Sequence, residues 1–186
     1  MSRKWIAGIA AALVLLAIAY AGSPYLAVRS FREAAISADV GRLDAAVDFP
    51  AVRESLKPQV SAAMLKRVDD DPKLKGNPFA GLGAVLMPAI ADRMVDTLVT
   101  PDGISALIRH GRPVAGAARA AAPNPDIGFR YGYVSLNRFE VRLVNIKRDE
   151  PMPALIFERR GLFFWKLIRI ELPEDMVETP SVGREL

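Results

Sequence analysis

The apolar positions along the chain change their period twice. From Trp5 to Ala21 they have none: 17 residues run without a charge directly behind Arg3 and Lys4, and the run could be extended through Gly22 to Val28 but for Pro24 inside that extension. From Ser23 onward they recur at helical spacing, beginning with Val28, Phe31, Ala35 and Ala38, while Arg29, Arg32 and Glu33 fall largely elsewhere on the wheel. From Phe129 they alternate, the period of strands. The predicted order is therefore an apolar segment, then helices, then a sheet. The densest block of aromatic and β-branched residues, Gly161 to Leu172, is predicted to supply the last strand and the surface on which the helices pack.

Local signals divide the helical part. Ser23-Pro24 predicts a helix start, with Ser as N-cap and Pro in the first turn. Asp39 caps a short second helix carrying Leu43, Ala46 and Val47. Asp48-Phe49-Pro50 repeats the device before a third helix, from about Ala51 towards Asp71, which Pro58 kinks or restarts. Gly76 to Ala91 runs for 16 residues without a charge. Its length and Pro88 exclude a membrane span. It reads either as a core helix kinked at Pro88 and continuing through Met94, Val95, Leu98 and Val99, or as a hydrophobic flap against lipid or an apolar pocket. The core reading is preferred, because exposed apolar patches of that size are unusual. Thr100-Pro101-Asp102 starts a last helix with Ile104, Leu107 and Ile108, ended by Gly111.

Arg112 to Pro125 is rich in Ala, Pro and Gly and reads as a linker (112–127) between a helical half (23–111) and a sheet (128–172). Phe129, Tyr131 and Tyr133 suggest a first strand. In the next, Phe139, Val141 and Leu143 face one way and Arg138, Glu140 and Arg142 the other. Asp149 to Pro153 is predicted as a turn, Ala154 to Arg159 as a strand, and Arg160-Gly161 as a tight hairpin. In the last strand Leu162, Phe164, Ile168 and Ile170 would share one face and Trp165 and Leu167 the other, as in a central or doubly covered strand. Residues 173–186 form a polar tail. The fold class is α+β: helices on an antiparallel sheet of three to four strands.

Charge and chemistry narrow the functions. The net charge is +4, and Arg3 and Lys4 supply two of it, leaving 23 basic against 21 acidic groups in residues 22–186. That balance argues against a nucleic-acid partner. The absence of Cys excludes disulfides, thiolate nucleophiles and Cys-ligated metals. Nine basic against four acidic residues between Arg130 and Arg169 could touch anionic lipid, although an ordinary solvated strand face is preferred. Asp69-Asp70-Asp71 lacks calcium-loop spacing. His110, the single histidine, suits the C-terminal end of a helix dipole. No catalytic, metal or cofactor set is assigned, and the enzyme question leans to no. Asp48, Tyr131, Tyr133 and His110 are the candidates if acid–base work is done at all.

The apolar segment (residues 5–21, within a 1–22 leader) is a membrane anchor or a signal peptide. Ala19-Tyr20-Ala21 fits signal cleavage, whereas the run exceeds the usual h-region of about 7–15 residues, which favours an uncleaved anchor. Either way the positive residues stay inside and the rest crosses the membrane.

The chain resembles an uncharacterised bacterial membrane-anchored family, domain of unknown function 2939. The similarity rests on Ser23-Pro24-Tyr25, Val47-Asp48-Phe49-Pro50 with Arg53 and Leu56, Asn77-Pro78-Phe79, Val99-Thr100-Pro101, Leu136-Asn137-Arg138-Phe139, and Gly161-Leu162 with Trp165-Lys166. It implies a single-pass protein of the inner membrane with its domain on the periplasmic side, or secretion after cleavage near Ala21. It brings no catalytic residues. More remotely, Ala38-Asp39 and Trp165-Lys166 with Ile168 and Ile170 look like the cone-shaped nuclear transport factor 2-like (or cystatin-like) folds, which include small isomerases and scaffolds. Three functions follow as expectations: a membrane-tethered envelope domain binding a small apolar ligand or a protein without chemistry; a pocket enzyme of the isomerase or hydrolase kind; and a scaffold self-associating through an exposed face around Trp165 and Leu167. The first is preferred.

Overall fold

Pro24 sits inside a helix rather than at its start. In the computed structural model, which describes residues 3–70, 80–109, 127–147 and 151–173, the first helix, α1, runs unbroken over Arg3–Ser37. A proline removes one helical donor and orphans the carbonyl four residues back, here that of Tyr20. Ser23 Oγ donates to Tyr20 O at 2.8 Å. The hydroxyl of Tyr133 donates to the neighbouring Ala21 O, also at 2.8 Å. With the orphaned Tyr20 carbonyl satisfied by Ser23, the helix continues. Pro58 is likewise carried inside a continuous helix.

α1 ends in a left-handed turn at Ala38 (φ 50°), where Asp39 N bonds Ala34 O at 3.1 Å. Helix α2 (Val40–Ala46) follows with Asp39 as its N-cap, and α3 (Phe49–Asp70) follows with Asp48 accepting from Ala51 N at 3.2 Å. Both acidic caps are as the sequence predicts. Helices α4 (Ala80–Leu98) and α5 (Pro101–Arg109) complete the helical part. Thr100 caps α5 through Gly103 N at 2.9 Å, and Gly103 is packed so closely that a Cβ there would lie 2.5 Å from Leu98 O.

The four strands β1 (Ile127–Ser135), β2 (Arg138–Asn145), β3 (Pro151–Arg159) and β4 (Trp165–Glu171) form an antiparallel meander in sequence order. The expected alternation of β2 holds: Phe139, Val141 and Leu143 are buried. Their partners Tyr133, Tyr131 and Phe129 on β1, and Phe157 and Leu155 on β3, share that inner face. β3 begins three residues earlier than the alternation predicts. Its register with β2 shifts between Arg142 and Val144, the kind of irregularity at which strand prolines such as Pro151 and Pro153 are tolerated.

The last strand departs most from expectation. It starts at Trp165, and Leu162 and Phe164 lie in the preceding loop, closed by Arg160 N to Phe164 O at 2.8 Å. Phe157 pairs with Leu167 and Ile156 with Arg169, so Ile168 is an extra, bulged residue. The bulge puts Ile170 on the same buried face as Trp165 and Leu167, instead of the opposite one. β4 is also an edge strand, not a central one. Its free edge is covered by the helical part. Val47 bridges Leu167, Asp48 N donates to Leu167 O at 2.8 Å, and the Gln59 amide donates to Ile170 O and accepts from Leu172 N. This is the protection an edge requires.

The core lies between the inner sheet face and α1, α2 and α3. Phe139, Phe157, Leu43, Leu143, Leu167 and Val52 are almost wholly excluded from solvent. α4 is a peripheral layer outside α3. It buries Ala91 and Val95 while Val85, Leu86, Ile90, Met94 and Leu98 stay exposed, so the core reading holds for one stripe of the helix. It is held by charge: Asp96 reaches Lys57 at 3.2 Å and Arg53 at 3.7 Å, and Arg53 also donates to Val99 O. Hydrogen bonds to Glu54 and Asp96 hold the Lys57 ammonium above the usual lysine range.

Candidate functional site

The point where α1 leaves the sheet concentrates the polar contacts of the inner face. α1 runs antiparallel to β1: Ala21 meets Tyr133, Tyr25 meets Tyr131 at 5.7 Å between rings, and Arg32 lies over Phe129 at 5.3 Å. The helix therefore passes the end of the sheet at about Tyr20, and the uncharged, exposed segment projects beyond it.

Ser23 is buried there and its hydroxyl serves three partners, one of them Arg159 Nη1, which donates to it at 3.4 Å. The hydroxyl donates to Tyr20 O and accepts from Trp165 Nε1 at 2.8 Å. The indole N–H would otherwise be a buried donor without an acceptor. Arg159, the inner-face neighbour of Trp165, stacks over two rings, 3.6 Å from the Tyr20 centroid and 4.2 Å from that of Trp165. It also donates to Leu136 O at 3.3 Å and to Leu162 O at 2.5 Å, so one guanidinium ties both sheet turns to the helix. Sequence reasoning missed Ser23 and Arg159 as a pair. The signal was the Trp on the last strand, which needs a partner once its ring is buried.

The acid–base candidates are not brought together. Asp48 caps α3 and pairs with Arg160 at 2.9 Å, beyond the β4 edge. Tyr131 and Tyr133 are on β1 at the opposite edge, and the Tyr133 hydroxyl is engaged by Ala21. His110 lies outside the described residues, as do Gly111, the linker through 126, Phe79 and the tail from 174. Among the described residues no group of three or more His, Asp or Glu could hold a metal ion. Trp165 and Leu167 are buried, which removes the exposed face on which self-association was to rest.

Two apolar regions are relevant. Between α1 and the sheet, Val28, Phe31, Phe129, Tyr131, Val141 and Leu155 leave a cavity of only about 20 Å³, far below the several hundred Å³ of a ligand pocket. On the outside of α4, Leu86, Ile90, Met94 and Leu98 with Arg93 and Thr97 form an open, mainly apolar face.

The fold thus defines an α+β protein with a long amino-terminal helix, further helices and a four-stranded antiparallel sheet. A model of the family described as proteins of unknown function, DUF2939, matches residues 13–107, just over half of the chain. The chain belongs to that family. No curated protein and no solved structure matches it. The matched stretch opens within the apolar segment and runs through α1 to α5. By length and composition α1 could cross a membrane, a test that a signal sequence also passes.

Proposed function

We propose that this is an uncleaved single-pass protein of a bacterial inner membrane. Its helix–sheet domain (23–172) stands on the periplasmic side and binds a partner without chemistry. The observation that carries the reading is the continuity of α1, whose first half is exposed and apolar and whose second half is core. Cleavage after Ala21 would remove the ring under Arg159 and the carbonyl that Tyr133 binds. A leader made to be discarded has no need of such contacts. Arg3 and Lys4 favour the amino terminus inside.

A binding role fits the packing between α1 and the sheet, which among the described residues leaves only a void of about 20 Å³, and the open apolar stripe of α4, which leaves a surface for a protein or an apolar molecule. The test is topology in cells. An alkaline phosphatase fused after Leu186 should be active, and the fusion should resist carbonate extraction from membranes. An inactive fusion or a soluble product would overturn the reading.

A further inference from the structure

Among the described residues, the two turns at the end of the sheet where α1 departs carry the most exposed large apolar side chains of the β half. Leu136, in the β1–β2 turn, is 76% exposed. In the β3–β4 loop Leu162 is 69% and Phe164 75% exposed. Among the described residues these loops are not scattered over the surface. Arg159 binds the carbonyls of both Leu136 and Leu162 while lying 3.6 Å from the Tyr20 ring. The apolar tips therefore flank the helix at about Tyr20, where its exposed apolar segment gives way to the part packed on the sheet.

We infer that these loop tips form a second membrane contact, inserted into the lipid interface beside the anchor. The inference rests on the membrane-anchor reading above. Its occupant is the bilayer, because the loop patch is continuous with the helix segment assigned to it. Lengths agree. The uncharged run continues to Val28, but from Ser23 the helix is packed in the folded body; the 17 residues outside it, Trp5 to Ala21, span about 26 Å at the helical rise, slightly less than the roughly 30 Å hydrocarbon core. A short span draws the folded body against the surface. Tyr20 then sits at the interface, where aromatic side chains concentrate, and Leu136, Leu162 and Phe164 point to the depth at which amphipathic elements bury apolar groups.

The chain has no cysteine, so single thiols can be introduced cleanly. Full-length Leu136→Cys, Leu162→Cys and Phe164→Cys would each be labelled with an environment-sensitive fluorophore and reconstituted into vesicles of phosphatidylcholine and phosphatidylglycerol. Leu13→Cys reports the span. Ile146→Cys, exposed at the opposite end of the sheet, reports water. The loop labels should lose roughly half their emission to lipids spin-labelled near the headgroup, and the Ile146 label should lose none. Loop labels that behave like Ile146, while Leu13 is quenched by mid-chain spin label, would refute the loop contact and leave the anchor standing. If Leu13 itself is unquenched, the anchor reading fails first and takes the inference with it.

Discussion

Replacing Ser23 by alanine removes one oxygen from the junction of helix and sheet and leaves two groups without partners. Trp165 Nε1, 2.8 Å from Ser23 Oγ, becomes a buried unsatisfied donor, at a cost of about 1–3 kcal/mol. Tyr20 O loses the hydroxyl that stands in for the missing Pro24 N–H, a further loss of about 0.5–1.5 kcal/mol. Alanine's better helix propensity returns up to about 0.5 kcal/mol. The net expectation is a loss of roughly 2–3 kcal/mol, or a Tm lowered by roughly 5–10 °C for a chain of this size. Thermal melts of the full chain in detergent, followed by circular dichroism, read it directly. The pairing predicts more than a loss. In a Trp165→Phe background there is no indole N–H to strand, so Ser23→Ala should cost about 1–2 kcal/mol less than in the native chain. If the two substitutions add, or if Ser23→Ala alone costs under about 0.5 kcal/mol, the account of the junction is wrong.

Other substitutions probe neighbouring contacts. Arg159→Met should destabilise by about 2–3 kcal/mol through the lost ring stacking and loop carbonyl bonds, and Arg159→Lys should not restore it, because an ammonium cannot stack and bridge both loops; melts of the three proteins check this. Ala38→Gly should stabilise by about 0.5–1 kcal/mol, since the residue sits at φ 50°, visible as a higher melting temperature. Asp96→Asn should weaken the pairs that hold α4 to Lys57 and Arg53, so amide exchange should quicken in α4 while β2 is unchanged.

The chain's reading of its own fold was clear where signals are local and faint where a partner is distant. Asp39 and Asp48 cap the helices their spacing marks, because a cap needs only a backbone N–H three residues on. The alternation of Phe139, Val141 and Leu143 locates the buried face for a similar reason: strand periodicity is written residue by residue. Pro24 misleads because a Ser-Pro pair reads as a helix start equally well when the Ser hydroxyl serves instead to satisfy the carbonyl that the proline orphans inside a continuous helix. Leu162, Phe164 and the bulge at Ile168 mislead because a run of apolar residues predicts a strand without saying where the register slips or which loop stays exposed. Of Gly76 to Ala91 the described part buries Ala91 and leaves Val85, Leu86 and Ile90 exposed, a division that an uncharged run does not itself announce. Nothing local in Ser23 or Arg159 announced a junction, since each has meaning only against Tyr20 and Trp165 together.

The claim on which the rest depends is that one helix is both anchor and core, with Tyr20 and Ala21 retained. The intact mass of the chain extracted from native membranes tests it most directly. The account predicts the full-length 20.3 kDa species, allowing for ordinary processing of Met1. A mature chain beginning at Gly22 would contradict it, for the ring beneath Arg159 and the carbonyl held by Tyr133 would then be absent from the working protein.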